Sequence, residues 1–179
     1  IVKERFDDKI YINYSRKEIV DRVDDLKHDL VREAMRLNEV TGGVEITTLA
    51  DIPSEGTGLG SSSSILVCLL HALSAHIGEI KTREQLAREA CETEINRLGR
   101  PIGKQEQYIA AYGGLRRFTF LPDESVQNEP VDIYGPLKHE LSEHLLLIYT
   151  NRTRDASSIL SEQKANTERN LDYLRELRY

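Results

Sequence analysis

Apolar residues recur along this chain with two periods, and the switches between them predict its elements. In residues 1–14, Ile10, Ile12 and Tyr14 share one face against polar neighbours, which predicts a strand. Ser15 then forms a Ser-x-x-Glu capping box with Glu18, and Ile19, Val23, Leu26, Leu30, Ala34 and Leu37 follow at helical spacing, so a helix is predicted as far as Gly42-Gly43. His28 lies off that stripe and reads as a solvated side chain. Residues 44–49 are β-branched and alternating, a strand that leads into a loop of glycine and serine. The helix after the loop runs from about Ser62 to Ile77, is apolar on nearly every face of its first turns, and closes at Gly78.

Thr82 and Gln85 make a second capping box, opening a helix through Leu86, Ala90 and Ile95 to Leu98, with Gly99 as its stop. Pro101 and Gly103 bend the chain before a short helix over residues 104–112, ended by Gly113-Gly114. Strands are predicted over residues 115–121 and, past a Pro122-Asp123 turn, over residues 145–149, whose continuous apolar run suits a buried position. Residues 155–178 read as one charged amphipathic helix. The order of elements predicts an α+β fold, a sheet covered by helices on one side.

The densest chemistry lies in residues 53–64, Pro-Ser-Glu-Gly-Thr-Gly-Leu-Gly-Ser-Ser-Ser-Ser. Gly56, Gly58 and Gly60 carry no Cβ, so the backbone there can take φ > 0 and lie close against a ligand. The serines suit the start of a helix, where a hydroxyl can accept from one of the first amides. Those amides face outward with about half a positive charge behind them, which makes the segment a phosphate cradle. Ser61 occupies the place where a P-loop needs Lys, so that motif is excluded. The glycine spacing G-x-G-x-G is a poor match to the G-x-G-x-x-G of a dinucleotide fingerprint. A plain flexible linker is not normally fused to a strand and an apolar helix.

Composition narrows the class. The 179 residues suffice for one domain or a little more, and 39% apolar with 30% charged is a globular balance. A net charge of −6 argues against nucleic acid or an anionic membrane, so any phosphate site is local. Cys68 and Cys91 are too few for a disulfide framework and lack metal-ligand spacing, which suits a reducing cytoplasm. No targeting or membrane-spanning segment is predicted.

The glycine loop, Pro53-x-x-Gly56-x-Gly58-Leu59-Gly60-Ser61-Ser62, resembles the central ATP-binding motif of the GHMP small-molecule kinases. Residues 103–114, from Gly103-Lys104-Gln105-Glu106-Gln107-Tyr108 to Gly113-Gly114, are similar to the segment that carries the family's catalytic carboxylate, in the form typical of its heptose 7-phosphate kinases. Residues 149–154 and 161–164 resemble that branch too. The resemblance implies a ribosomal S5 domain 2-like N-terminal domain over residues 1–150, lacking its first strands, and the start of a second domain over residues 151–179. The family's first and third motifs have no counterpart here, so the chain is expected to be the central portion of a longer kinase and inactive by itself. Leu171, Leu174 and Leu177 are expected to lie against the remainder.

Phosphoryl transfer asks for phosphate positioning, a divalent cation and a carboxylate near the attacking hydroxyl. The resemblance implies ATP on Pro53, Gly56, Gly58, Leu59, Gly60, Ser61, Ser62 and Ser63, and Mg²⁺ on Ser62 and Glu94. Without the resemblance Glu94, among Glu89, Glu92, Arg88 and Arg97, would read as part of a solvated charged face. Glu106 is the implied catalytic residue, a glutamate where the family usually has aspartate, one methylene farther from the backbone. The implied substrate contacts are Lys104, Gln107, Tyr108, Arg152 and Arg154; an arginine fork matches a phosphate, although two solvated arginines leading into a helix explain the last pair as well.

The expected function is ATP-dependent phosphorylation of a sugar or sugar phosphate hydroxyl, with the anomeric hydroxyl of a heptose 7-phosphate as the preferred acceptor. The expected partner is a small-molecule sugar phosphate, without nucleic acid or membrane, in the cytoplasm; a homodimer is left open. Two alternatives stand beside it. One is a kinase-like nucleotide and sugar binder that turns over little or nothing, and the other is a Rossmann-type oxidoreductase.

Overall fold

Alternate residues of two strands bury one face of a sheet. In β2 (Ile10–Asn13) these are Ile10 and Ile12, and in β4 (Val44–Thr47) Val44 and Ile46, each at most 1% exposed. The computed structural model describes residues 1–50, 60–148 and 156–176. Within them β1 (Val2–Glu4) runs antiparallel to β4, β4 lies parallel to β2 with Ile12 opposite Ile46, and β3 (Lys17–Val20) returns antiparallel to β2. The spatial order is β1-β4-β2-β3. The opposite face is polar, with the Arg5 guanidinium stacked on Tyr11 and paired with Asp7 and Glu45.

Four helices follow: α1 (Asp29–Leu37), α2 (Ser61–His76), α3 (Arg83–Cys91) and α4 (Gln105–Tyr112). Packing centres on α2, whose Leu66, Leu69, Leu70 and Leu73 join Val31, Ala34 and Met35 of α1, Leu86 and Ala90 of α3, and the sheet isoleucines in one core. Each such leucine contributes about 1.5–3 kcal/mol by leaving water, which fixes the position of α2's first turn. The predicted capping box of Thr82 and Gln85 is present in both directions.

The first forty residues differ from the expectation. Residues 1–14 hold two strands, and the helix predicted from Ser15 begins at Asp29. Tyr14 N donates to Arg16 O and turns the chain into the β2–β3 hairpin. Glu18 caps nothing at Ser15; its carboxylate accepts instead from the amides of Lys27 and His28, just ahead of α1. His28 is half-buried, with its ring edge-on to Tyr14 at 4.8 Å, so it is not a solvated side chain.

A hairpin of β5 (Arg116–Phe120) and β6 (Val126–Pro130) packs Phe118 against Tyr108 and Tyr112. The strand predicted over residues 145–149 is not formed in its described part. After α5 (Gly135–Glu143), Leu145 to Ile148 carry no regular structure and are 66–88% exposed, since no strand among the described residues pairs with them. The single helix predicted over residues 155–178 is two, α6 (Ala156–Ala165) and α7 (Leu171–Glu176), parted at Asn166, Thr167 and Asn170, types that compete with helical backbone bonding. Leu171 and Leu174 are 43% and 47% exposed.

Candidate active site

Gly60 precedes α2 with φ 67° and ψ 19°, a left-handed conformation that a Cβ disfavours. The first helical bond of α2 runs from Ser64 N to Gly60 O, so the amides of Ser61, Ser62 and Ser63 come before the ladder and form the positive end of the helix dipole. Among the described residues no serine hydroxyl caps them, contrary to the expectation. The hydroxyls of Ser62 and Ser63 donate instead to Glu94, at 2.9 Å and 2.7 Å.

Glu94 lies in a six-residue π turn, Glu92–Arg97, that continues α3. The widened turn is closed by Leu98 N donating to Thr93 O and Arg100 N to Glu94 O, and turns of this kind are often found at functional sites. They set the carboxylate inside the protein at 1% exposed, away from the solvated face that its charged neighbours suggest. Oε1 accepts from Ser62 Oγ and Arg100 Nη1, and Oε2 from Ser63 Oγ and Gln107 Nε2. Arg100 Nη1 also donates to Ser62 Oγ at 2.7 Å, and its Nη2 to Asp29 Oδ2 at 2.9 Å. Arg100 and Asp29 are the residues that sequence reading missed. Arg100 belongs to the loop around Pro101, where no periodicity signals an approach to α2.

Glu106 and Gln107, adjacent on α4, turn to different sides of the helix. Gln107 is fully buried, and a carboxylate only accepts, so its amide nitrogen must face Glu94. Its Oε1 has no hydrogen-bond partner among the described residues. Glu106 is exposed and lies across from Gly60: a Cβ placed on that glycine would be 3.7 Å from the Glu106 carboxyl carbon and 3.8 Å from Oε2. The implied catalytic carboxylate therefore meets the start of α2.

Lys104 and Tyr108 lie apart from this centre. Lys104 Nζ donates to the carbonyl and the carboxylate of Glu124 in the β5–β6 turn, both at 3.0 Å. Tyr108 is 3% exposed and gives its hydroxyl to Glu84, which also takes those of Tyr112 and the Arg88 guanidinium. Burial, seconded by Glu84, pushes the Tyr108 phenol up to about 12. Burial raises Glu84 itself, but the bonds from Arg88, Tyr112 and Tyr108 outweigh it and hold the carboxyl below its ordinary value. Pro53, Gly56, Gly58, Leu59, Arg152 and Arg154 lie outside the described residues.

Residues 18–114 match the family described as GHMP kinases N terminal domain, and the chain belongs to that family. Over 167 residues it is 29% identical to D-glycero-alpha-D-manno-heptose 7-phosphate kinase of Campylobacter jejuni subsp. jejuni serotype O:2, covering 92% of this chain and 49% of that protein. Over 115 residues it is 30% identical to galactokinase of Thermotoga neapolitana, covering 64% of this chain and 31% of that protein. The chain thus spans about half the length of the first of these relatives and about a third of the second. Among solved structures it is similar to a D-glycero-D-manno-heptose 1-phosphate kinase from Bacteriodes thetaiotaomicron, with a TM-score of 0.71 and 29% identity over 78% of this chain and 49% of that one. A galactokinase from Lactococcus lactis solved with galactose has the same fold, at a TM-score of 0.68 and 18% identity over 98% of this chain and 48% of that one. No helix among the described residues is long and apolar enough to cross a membrane.

Proposed function

We propose that this chain forms the nucleotide-binding part of an ATP-dependent kinase that phosphorylates a sugar phosphate, with the anomeric hydroxyl of a heptose 7-phosphate as the favoured acceptor. The observation that carries the reading is the placement of Glu106 against Gly60 at the start of α2. A phosphate chain held on the first amides of α2 would have its terminal group beside that carboxylate. Glu106 then accepts or orients the proton of the attacking hydroxyl, the new oxygen–phosphorus bond forms, and ADP leaves with the electrons of the bond that breaks.

Glu94 and Ser62 offer hard oxygens of the kind Mg²⁺ takes in such sites, usually one or two from protein with the rest from phosphate and water. The two residues would hold the ion, which when bound neutralises charge on the phosphates. Ser63 and Gln107 position the Glu94 carboxylate for this, since each bonds Oε2 and leaves Oε1 on the Ser62 side.

The heptose assignment draws support from the relatives named above, among which the heptose 7-phosphate kinase match extends over more of the chain than the galactokinase match. A binder without turnover is favoured by one observation, the Arg100 guanidinium already lying on Glu94. The oxidoreductase reading has lost its ground, because two of the three pairings in the sheet are antiparallel, whereas a dinucleotide fold needs a mostly parallel one. The test is a phosphorus NMR assay of the complete gene product with ATP, Mg²⁺ and either heptose 7-phosphate or galactose. An ATP-dependent anomeric phosphate on the heptose is expected. Product from galactose alone would move the substrate class, and no product from either would leave the binder.

A further inference from the structure

We propose that Arg100 is the exchangeable counter-ion of Glu94: it competes with a divalent cation for the Ser62 and Glu94 oxygens and is released onto Asp29 when the cation enters. The inference rests on the kinase reading of the Ser62 and Glu94 pair and adds the residue that controls access to it.

A carboxylate 1% exposed needs compensation for its lost hydration. Among the described residues Glu94 receives four hydrogen bonds, two on each oxygen, which fills its roughly four lone-pair sites. Three of the donors, Ser62, Ser63 and Gln107, are neutral, and Arg100 alone brings charge. Its Nη1 lies 2.9 Å from Glu94 Oε1 and 2.7 Å from Ser62 Oγ. These are the same two oxygens that a cation on this pair would use. Magnesium sits about 2.0–2.1 Å from its ligands, so an ion bridging them would fall within van der Waals contact of Nη1 and against its positive charge. The two cations exclude each other.

Arg100 has somewhere to go. Its Nη2 already holds Asp29 Oδ2, on the first turn of α1, at 2.9 Å. The Asp29 side chain is 44% exposed and that of Arg100 is 28% exposed, so water reaches the outer half of the pair. The Arg100 amide is tied to Glu94 O, which anchors the backbone and leaves the movement to the side chain. A guanidinium strung between two carboxylates can give up the buried one and keep the exposed one when the entering cation supplies the positive charge that the buried carboxylate would otherwise lose.

The experiment is a Mn²⁺ titration of the complete gene product, followed by the loss of the free-ion electron paramagnetic resonance signal at constant pH and ionic strength, with no nucleotide or sugar present. Arg100→Gln is expected to tighten Mn²⁺ at least tenfold over the parent, and Glu94→Gln added to it should abolish the gain. Asp29→Asn, which removes the receiving carboxylate, should weaken Mn²⁺ binding to the parent. Unchanged or weaker Mn²⁺ binding by a folded Arg100→Gln chain would overturn the exchange. If Arg100→Gln does not fold, the parent decides: the Arg100 Nε–H resonance, assigned by its loss in Arg100→Lys, must shift as Mg²⁺ is added, and a resonance that stays fixed to saturating Mg²⁺ rejects the proposal. A parallel titration with ATP in the presence of saturating Mg²⁺ separates the two readings. Nucleotide binding without any response of Arg100 sinks the exchange and spares the kinase, whereas absence of both nucleotide and cation binding removes the kinase reading itself.

Discussion

The carboxyl of Glu106, on the first turn of α4, lies against Gly60, the residue that starts α2, with 3.7 Å between its carbon and the point where a Cβ on Gly60 would stand. The contact joins the glycine loop to the implied catalytic carboxylate and sets what Gly60 can tolerate. A methyl there meets ordinary van der Waals contact, so conformation, at φ +67°, is the larger obstacle.

Gly60→Ala should therefore lower stability by about 1–2 kcal/mol, the cost of a side chain in the left-handed region. Gly103→Ala is the control, since nothing lies within 4 Å of its added methyl and its φ is not in that region. Thermal denaturation of both variants checks this. Equal melting temperatures for the two would show that the Gly60 conformation is not what it is here.

The Glu94 cluster should behave as one buried unit. Ser63→Ala removes one of two bonds on Oε2 and should cost about 1 kcal/mol. Glu94→Gln leaves Arg100 facing a neutral amide and should cost more, toward the lower end of about 3–5 kcal/mol because Arg100 keeps some contact with water. Urea unfolding of the two variants gives both numbers. A Glu94→Gln chain as stable as the parent would return that glutamate to the solvated face.

Local signals carried the middle of the chain well. The Thr82 box, the apolar run of α2 and the glycine stops at Gly78 and Gly99 predict elements that formed, because each depends on neighbours within one turn. The same rule failed at Ser15, whose box partner Glu18 is drawn instead to the amides of Lys27 and His28. There a hairpin packed on β4 overrides a local preference, and no window of sequence contains that pairing. Leu145 to Ile148 have the composition of a buried strand, but burial needs a neighbour and composition does not supply one. At the site, Glu94 and Glu106 stood out in the sequence only through resemblance to a family, and the structure brings both to the start of α2; the glycine loop ahead of Gly60 lies outside the described residues. Arg100 did not stand out, because its role arises only where the loop after the π turn crosses back to α2 and α1.

His28 makes acid sensitivity measurable. Burial lowers its pKa below the ordinary 6.5, against the pull of Asp29 and Glu18, so the folded protein holds the ring neutral where the unfolded chain would bind a proton. The unfolded state then carries more protons, and stability rises with pH. This contribution is complete above about pH 6.5 and is lost as pH falls through the lower folded value. His28→Phe, which keeps an edge toward Tyr14, should flatten the melting temperature over that window. A parent and variant with the same slope would show that His28 titrates as in the unfolded chain.

Glu106 bears the central claim, that a carboxylate at the start of α2 serves phosphoryl transfer. Turnover of the complete gene product with ATP, Mg²⁺ and heptose 7-phosphate should fall by orders of magnitude in Glu106→Gln, which keeps the size and removes the charge. Glu106→Asp should keep or raise it, since a misplacement near 1 Å can cost about a hundredfold and the shorter side chain tests reach alone. Turnover in Glu106→Gln equal to that of the parent would contradict the account.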